Sequence, residues 1–354
     1  MTIYHYIKPL LFQLDAEKAH NLALFFLKKN LLPVAKDSLD ERLKMEVAGL
    51  NFASPVGMAP GFDKNAEVIN ALSRLGFGFV EAGTVTPMPQ EGNPKPRLFR
   101  LEEDEAVVNR MGFNNDGAAK FEQNLSRRNT GDIIVGVNIG KNKTSEDAAS
   151  DYVFLLEKFY AKSDYITVNI SSPNTPGLRA LQQEDALNAL LATLASKHQA
   201  LLKQYSKYVP LFLKIAPDIT EAESEHIADA VIKHGITGLI VSNTTVGERH
   251  TLNSKYANEQ GGLSGKPLYS LSTEMLRNIY RLTKGNVPII GVGGISNAED
   301  AYTKIKAGAS LVQLYSALVF QGFGLVKDIN QGLLKLLEQD GFKHLSEAVG
   351  VEAV

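Results

Sequence analysis

The chain has 354 residues, 44% hydrophobic and 21% charged, with a formal net charge of −2 and no cysteine. That composition belongs to a folded chain with material for a large core, and it excludes disorder and fibrous repeats. Without cysteine there are no disulfides, thiolate metal sites, iron–sulfur clusters or cysteine nucleophiles, and without a basic excess no field exists to hold nucleic acid.

The N-terminus, MTIYHYIKPLLFQLDAEKAHNLALFFLKKN, lacks the basic start, apolar middle and small-residue cleavage site of a signal peptide. No apolar run reaches the ~18 to 20 residues of a spanning helix. The segment predicts two short helices broken near Asp15, the first with Ile3, Ile7, Leu10, Leu11 and Leu14 on one face. In the second, Leu22 to Leu27 are all apolar, while Lys8, Lys18, Lys28 and Lys29 outnumber Asp15 and Glu17. Such a pair suits a membrane surface, apolar side down, and equally suits packing on its own domain.

From Val56 onward, short β-rich runs alternate with helical patterns, as in a parallel sheet of βα units. Eight runs occur, at Val56–Pro60, Phe77–Ala82, Ile133–Asn138, Tyr165–Asn169, Leu211–Ile215, Gly238–Ser242, Ile289–Val292 and Leu311–Tyr315. Eight strands close a (β/α)8 TIM barrel, an α/β fold, over residues 41–354, with residues 1–40 as an N-terminal two-helix extension. Helices are expected at Asn65–Leu75, Asp147–Lys162, Glu184–Tyr205, Glu221–His234, Leu271–Leu282 and Ala298–Ala307. Thr220 with Glu223 forms a capping box, Asn297 caps its helix, and Gly235 and Gly308 follow helix ends. The interval from Gly83 to Asp132 is too long for one helix and predicts an insertion over the barrel mouth, with short strands at PRLFR and AVVN. KMEVAGLNF reads as a hairpin turning near Gly49 at the barrel bottom.

Chemistry in this fold sits where strands end and βα loops gather. Polar residues follow every one of the eight runs, and Asn138, Asn169, Lys214 and Asn243 at strand ends would be costly to bury without a ligand. GVGGIS, ahead of the helix near Asn297, has the glycines and helix start of a phosphate site and sits after the seventh strand, where barrels hold phosphate. It is no dinucleotide fingerprint, because Ser296 stands where the third glycine belongs. GGLSGKP fails as a P-loop on spacing and on Pro267, and reads as a loop bordering the same phosphate. Either glycine run alone also fits an ordinary turn. Asn109, Asn114, Asn169, Asn174 and Asn243 each bring an amide acceptor and donor to the mouth, matched to a ring alternating C=O and N–H such as a pyrimidine dione, with Lys64 placed to neutralise a carboxylate. The seven histidines form no metal-ligand pair, so no metal is expected; carboxylate-pair and G-x-S-x-G hydrolase patterns are missing as well.

NISSPNTPGLR, NRMGFNN, GGLSGKP, IIGVGGI and ASLVQLYS, in this order on an eight-strand barrel, resemble the dihydroorotate dehydrogenase family along essentially the whole chain. LFQLDAEKAH is similar to the extension of its membrane-associated, quinone-dependent class 2. The lack of cysteine agrees, since class 1 uses a cysteine base.

The resemblance implies flavin mononucleotide (FMN) across the mouth, contacted by Pro60, Gly61, Phe62, Asp63, Lys64, Thr84, Asn138, Asn169, Lys214 and Ser242, its phosphate held by Gly265, Gly294, Tyr315 and Ser316. It implies dihydroorotate gripped by Lys64, Asn109, Asn169, Asn174, Asn243 and Thr244, with Arg110, Met111, Gly112 and Phe113 beside it. Ser172 corresponds to the base that takes a proton from C5 while hydride leaves C6, giving orotate, with Thr175 or a water as the expected onward acceptor. His20, Arg100 and Tyr315 match a quinone tunnel between the N-terminal helices. A monomer at the cytoplasmic face of the inner membrane, attached peripherally, is the expectation. The residues alone leave two other readings, a phosphate-binding barrel lyase or isomerase with Lys214 as Schiff-base amine, and a non-catalytic phospho-ligand barrel.

Overall fold

The computed structural model describes residues 3–32, 40–129, 131 and 133–353. Eight parallel strands, β1 (Val56–Met58), β2 (Phe79–Val85), β3 (Ile134–Ile139), β4 (Tyr165–Asn169), β5 (Leu211–Ile215), β6 (Gly238–Val241), β7 (Ile289–Val292) and β8 (Leu311–Leu314), close in sequence order into a barrel. Every predicted run overlaps one of them. β8 returns to β1 with Val312 opposite Val56, so the barrel has no open strand edge.

Side chains fill the barrel in layers. Phe79, Tyr165 and Phe212 point inward near the bottom, and glycines make room for them: a Cβ on Gly57, Gly136 or Gly238 would meet those rings at 2.3, 2.1 and 2.4 Å respectively. The strand period of two then turns Glu81, Thr167 and Lys214 inward in the next layer toward the rim. The hairpin Met45–Val47/Leu50–Phe52 turns through Ala48 and Gly49, both at positive φ, and packs Phe52 on Phe79 from below.

The predicted caps form: Thr220 and Glu223 make the reciprocal box, and the Asn297 side chain accepts from Asp300 N–H. The first barrel helix differs from expectation. Helical turns begin only at Ile69, because the Asp63 carboxylate accepts N–H bonds from Glu67 and Val68 and holds the preceding residues in a turn. Helices at Gly117–Leu125, Ser316–Gln321 and Gly324–Asp340 were not among the expected elements.

The insertion supplies strands Leu98–Leu101 and Ala106–Asn109, as predicted. Gly262–Gly265, read from sequence as a loop, is a third strand paired antiparallel to Ala106–Asn109. This small sheet roofs the rim, and helices α1 (Ile3–Phe12) and α2 (Ala16–Lys28) lean on it. Asp15 caps α2, and Arg100 donates to the carbonyls of Leu11, Phe12 and Leu14 at the end of α1. The expected face of α1 divides: Ile7, Leu10 and Leu14 are exposed, whereas Leu11 turns inward. The side chain of Ile3 and the segment 33–39, which leads to the expected boundary at 40/41, lie outside the described residues.

Candidate active site

A cavity of about 300 Å³ begins at the barrel rim and continues beneath the roof to α1 and α2. Its floor is a buried polar network. Glu81 accepts from Asn138 Nδ2 at 2.7 Å, Gln313 Nε2 at 2.7 Å and the Tyr165 hydroxyl at 3.0 Å. Asn138 Oδ1 in turn accepts from Thr84 Oγ1 at 2.5 Å and Asn169 Nδ2 at 3.1 Å. One buried carboxylate thereby fixes which way each amide above it faces.

Lys214 rises beside this network, 5% exposed, and its ammonium donates no hydrogen bond to any described residue. Burial lowers its pKa, with Glu81 opposing. The Oε1 of Gln313 and the Oδ1 of Asn114, both on residues that line the cavity, are buried without partners. A buried cation and unpaired carbonyls at one cavity wall are incomplete without a ligand.

On one side Ser172 faces the cavity, its Oγ accepting only the Asn174 N–H at 3.3 Å among described residues. Asn174 Nδ2 reaches the Asn109 carbonyl at 3.1 Å, and Asn243 Nδ2 reaches Ser171 Oγ at 2.9 Å. Lys64 Nζ donates to the Gly61 carbonyl at 2.7 Å; burial pushes its pKa down to about 8. At the glycine corner, a Cβ on Gly265 would strike Glu105 O at 2.4 Å and one on Gly294 would strike Tyr269 Cα at 2.5 Å, so neither position admits a side chain.

The far end of the cavity is apolar, lined by Leu11, Phe12, Ala19, Phe62, Leu318 and Phe320. His20 sits in it with Phe62 edge-on at 5.3 Å and the Tyr315 hydroxyl 3.5 Å from Nδ1. Burial, then the Lys64 charge, lowers its pKa to about 3, so this imidazole is neutral near pH 7.

The model of the dihydroorotate dehydrogenase family matches residues 42–337. The chain is 48% identical to a dihydroorotate dehydrogenase (quinone) of Azorhizobium caulinodans, over 99% of both chains, and 53% identical to one of Bradyrhizobium sp. strain BTAi1, over 98% of this chain and 94% of the relative. A crystal structure of the Eimeria tenella enzyme with ferulenol superposes with a TM-score of 0.92 at 40% identity, over 96% of each chain. The chain belongs to the dihydroorotate dehydrogenase family. It is an oxidoreductase, and the Schiff-base lyase and non-catalytic readings of the barrel fall away.

Of the residues that the dihydroorotate dehydrogenase resemblance singled out, the cavity wall gathers Pro60, Gly61, Phe62, Lys64, Thr84, Asn109, Met111, Gly112, Phe113, Asn169, Ser172, Asn174, Lys214, Ser242, Asn243, Thr244, Gly265, Gly294, Tyr315 and Ser316, and at its apolar end His20 and Arg100. Three stand apart. The Asp63 carboxylate is spent on backbone N–H groups, the Asn138 side chain is spent within the floor network and does not line the cavity, and Arg110 turns away to pair with Glu259 at 2.7 Å and cover the Phe99 ring. Thr175 is also off the wall, its Oγ1 buried and unpartnered. Sequence reasoning passed over Glu81 and Gln313, although a charged or amide residue inside an apolar barrel strand, FVEAG or LVQLY, is itself the signal.

Proposed function

We propose that this chain oxidises dihydroorotate to orotate in pyrimidine biosynthesis, with FMN as its flavin and a membrane quinone as final acceptor. The observation that carries the reading is the continuity of one cavity, from the buried Lys214 ammonium at the polar rim to the apolar pocket under α1 and α2. Residues 1–40 then act as the quinone-side extension of the barrel 41–354.

The wall fits a flavin. Lys214 offers positive charge to a ring edge that becomes anionic on reduction, Gln313 Oε1 offers an acceptor to a ring N–H, and the bare backbone of Gly265 and Gly294 with Ser316 offers N–H groups to a phosphate. FMN held there would supply the hydride acceptor for C6 of the substrate and the two-electron donor for quinone. Lys64 pairs the substrate carboxylate, while Asn109, Asn174 and Asn243, oriented by their mutual bonds, read the ring amides. Ser172 takes the proton from C5, and C5=C6 forms as both hydrogens depart. Arg100 and the neutral His20 border the quinone pocket.

Exposed Ile7, Leu10, Phe25 and Phe26, together with the N-terminal lysines, support peripheral attachment to a membrane surface; the reading places the chain at the cytoplasmic face of the inner membrane, as a monomer. Among the described residues no helix is long and apolar enough to cross a bilayer. The test is anaerobic: the purified protein should be yellow, bleach with dihydroorotate and recolour with a quinone. A colourless protein, or colour indifferent to dihydroorotate, would overturn the reading.

A further inference from the structure

Lys304 is fully buried, in the helix Ala298–Lys306 that follows β7. Its stem lies against Gly291, and its ammonium donates to Ser272 Oγ at 2.7 Å and Thr273 Oγ1 at 2.9 Å, with the Tyr269 ring 5.2 Å away. Two hydroxyls accept from the ammonium, but no carboxylate lies within 4 Å among the described residues. Asp300, the acid nearest in effect, gives its Oδ2 to the N–H and hydroxyl of Ser296. Burial lowers the Lys304 pKa to about 7, against the pull of Asp300. A buried cation lacking a counter-charge is costly, and an apolar chain of the same volume would serve the core better.

What lies next to it explains the cost. Ser272 Oγ also sits 3.1 Å from the Gly293 carbonyl, and a Cβ on Gly293 would meet that hydroxyl at 2.8 Å. Gly293 and Gly294 line the cavity at the glycine corner. The other lysine there, Lys266, is already paired with Glu105 at 3.0 Å and half-exposed, so its charge is largely offset and screened.

We propose that Lys304 is a positioning residue that supplies the buried counter-charge for the flavin phosphate, acting through Ser272 on the Gly293–Gly294 turn. The inference rests on the phosphate corner placed above under the proposed function. It makes the phosphate, and not the flavin ring, the group that Lys304 favours.

The test uses the full-length chain with its flavin removed, titrated with FMN and with riboflavin by quenching of flavin fluorescence. Wild type should prefer FMN. Lys304→Met should lose about ten- to hundredfold in FMN affinity, the scale of one unit charge acting across several ångströms of protein, while riboflavin affinity stays within about twofold. Its melting temperature without flavin should not fall, since a buried charge has been removed. Equal losses for both flavins, or no loss for either, would overturn the proposal. Should Lys304→Met fail to fold, Ser272→Ala carries the test by the same comparison: selective weakening of FMN supports the relay, and equal weakening refutes it. If wild type itself binds both flavins alike, the phosphate corner is misplaced and the underlying reading fails first.

Discussion

Arg97 grips Glu17 with two charge-assisted hydrogen bonds, Nη2 to Oε1 at 2.7 Å and Nε to Oε2 at 3.1 Å. Both residues are buried, and the third guanidinium nitrogen, Nη1, donates to the carbonyls of Glu91 and Asn93. The pair therefore keys α2 to the insertion that roofs the mouth. Arg97→Met leaves the buried carboxylate with only the exposed Lys95, 3.5 Å away, and should cost up to about 3–5 kcal/mol, read from denaturant unfolding; Arg97→Met with Glu17→Leu should recover much of it. Burial works against ionisation of Glu17, yet Arg97 and then Lys95 hold its carboxyl below the ordinary value of 4.5. A depressed acid contributes its stability above the unfolded value and loses it as pH falls through the folded one. The melting temperature of wild type should therefore drop more steeply below about pH 4.5 than that of Glu17→Gln. Parallel curves would show that the pair contributes nothing.

Arg179 ties three loops together. It donates to the Ser171 carbonyl at 3.1 Å, to Asp218 at 2.8 Å and to the Thr244 carbonyl at 2.9 Å. The loop bearing Ser172 is thus fastened to the loops after β5 and β6. Arg179→Met should leave flavin content unchanged while lowering kcat/KM for dihydroorotate about a hundredfold, the usual consequence of an ångström of misplacement. Wild-type steady-state kinetics in this variant would dismiss the latch.

Most of the barrel was legible because buried parallel strands write themselves as apolar runs, and because Asn169, Ser172, Lys214 and Asn243 sit where those runs stop. What escaped is set by partners distant in sequence. Nothing local in GGLSG reveals a strand, because its partners, Ala106–Asn109 and a bridge to Thr245, lie elsewhere in the chain. Arg110 adjoins the cavity-lining Asn109 and Met111, but Glu259 draws its guanidinium away. Asn138 reads as a ligand-facing amide until Glu81 and Thr84 are seen to use both of its ends.

The pH dependence of substrate binding should report Lys64. Its pKa, pushed down by burial to about 8, makes the free enzyme lose this cation as pH rises through that value. A neutral amine cannot pair with the substrate carboxylate, so KM for dihydroorotate should climb above about pH 8. Lys64→Met should have a high KM that is flat across the same range. A wild-type KM independent of pH to 10 would exclude the pairing.

Leu10 and Phe25, 65% and 51% exposed, are the places to test membrane contact, since neither lines the cavity. Leu10→Glu with Phe25→Glu should abolish sedimentation with anionic vesicles and leave anaerobic flavin reduction by dihydroorotate intact. Vesicle binding that survives both charges would move the contact surface elsewhere.

Ser172 is the hardest assignment chemically, because a serine hydroxyl is a weak base near neutrality and must pass its proton on. No imidazole or carboxylate touches its Oγ among the described residues; only the Asn174 N–H does. Thr175, on the same loop, carries a buried hydroxyl with no partner, which suits a station on the proton's exit path. Ser172→Ala should therefore slow single-turnover flavin reduction by about 10²- to 10⁴-fold at unchanged flavin content. Thr175→Val should cost less, with kcat lowered and KM unmoved. A Ser172→Ala protein that bleaches at the wild-type rate would take the proton step away from this residue altogether.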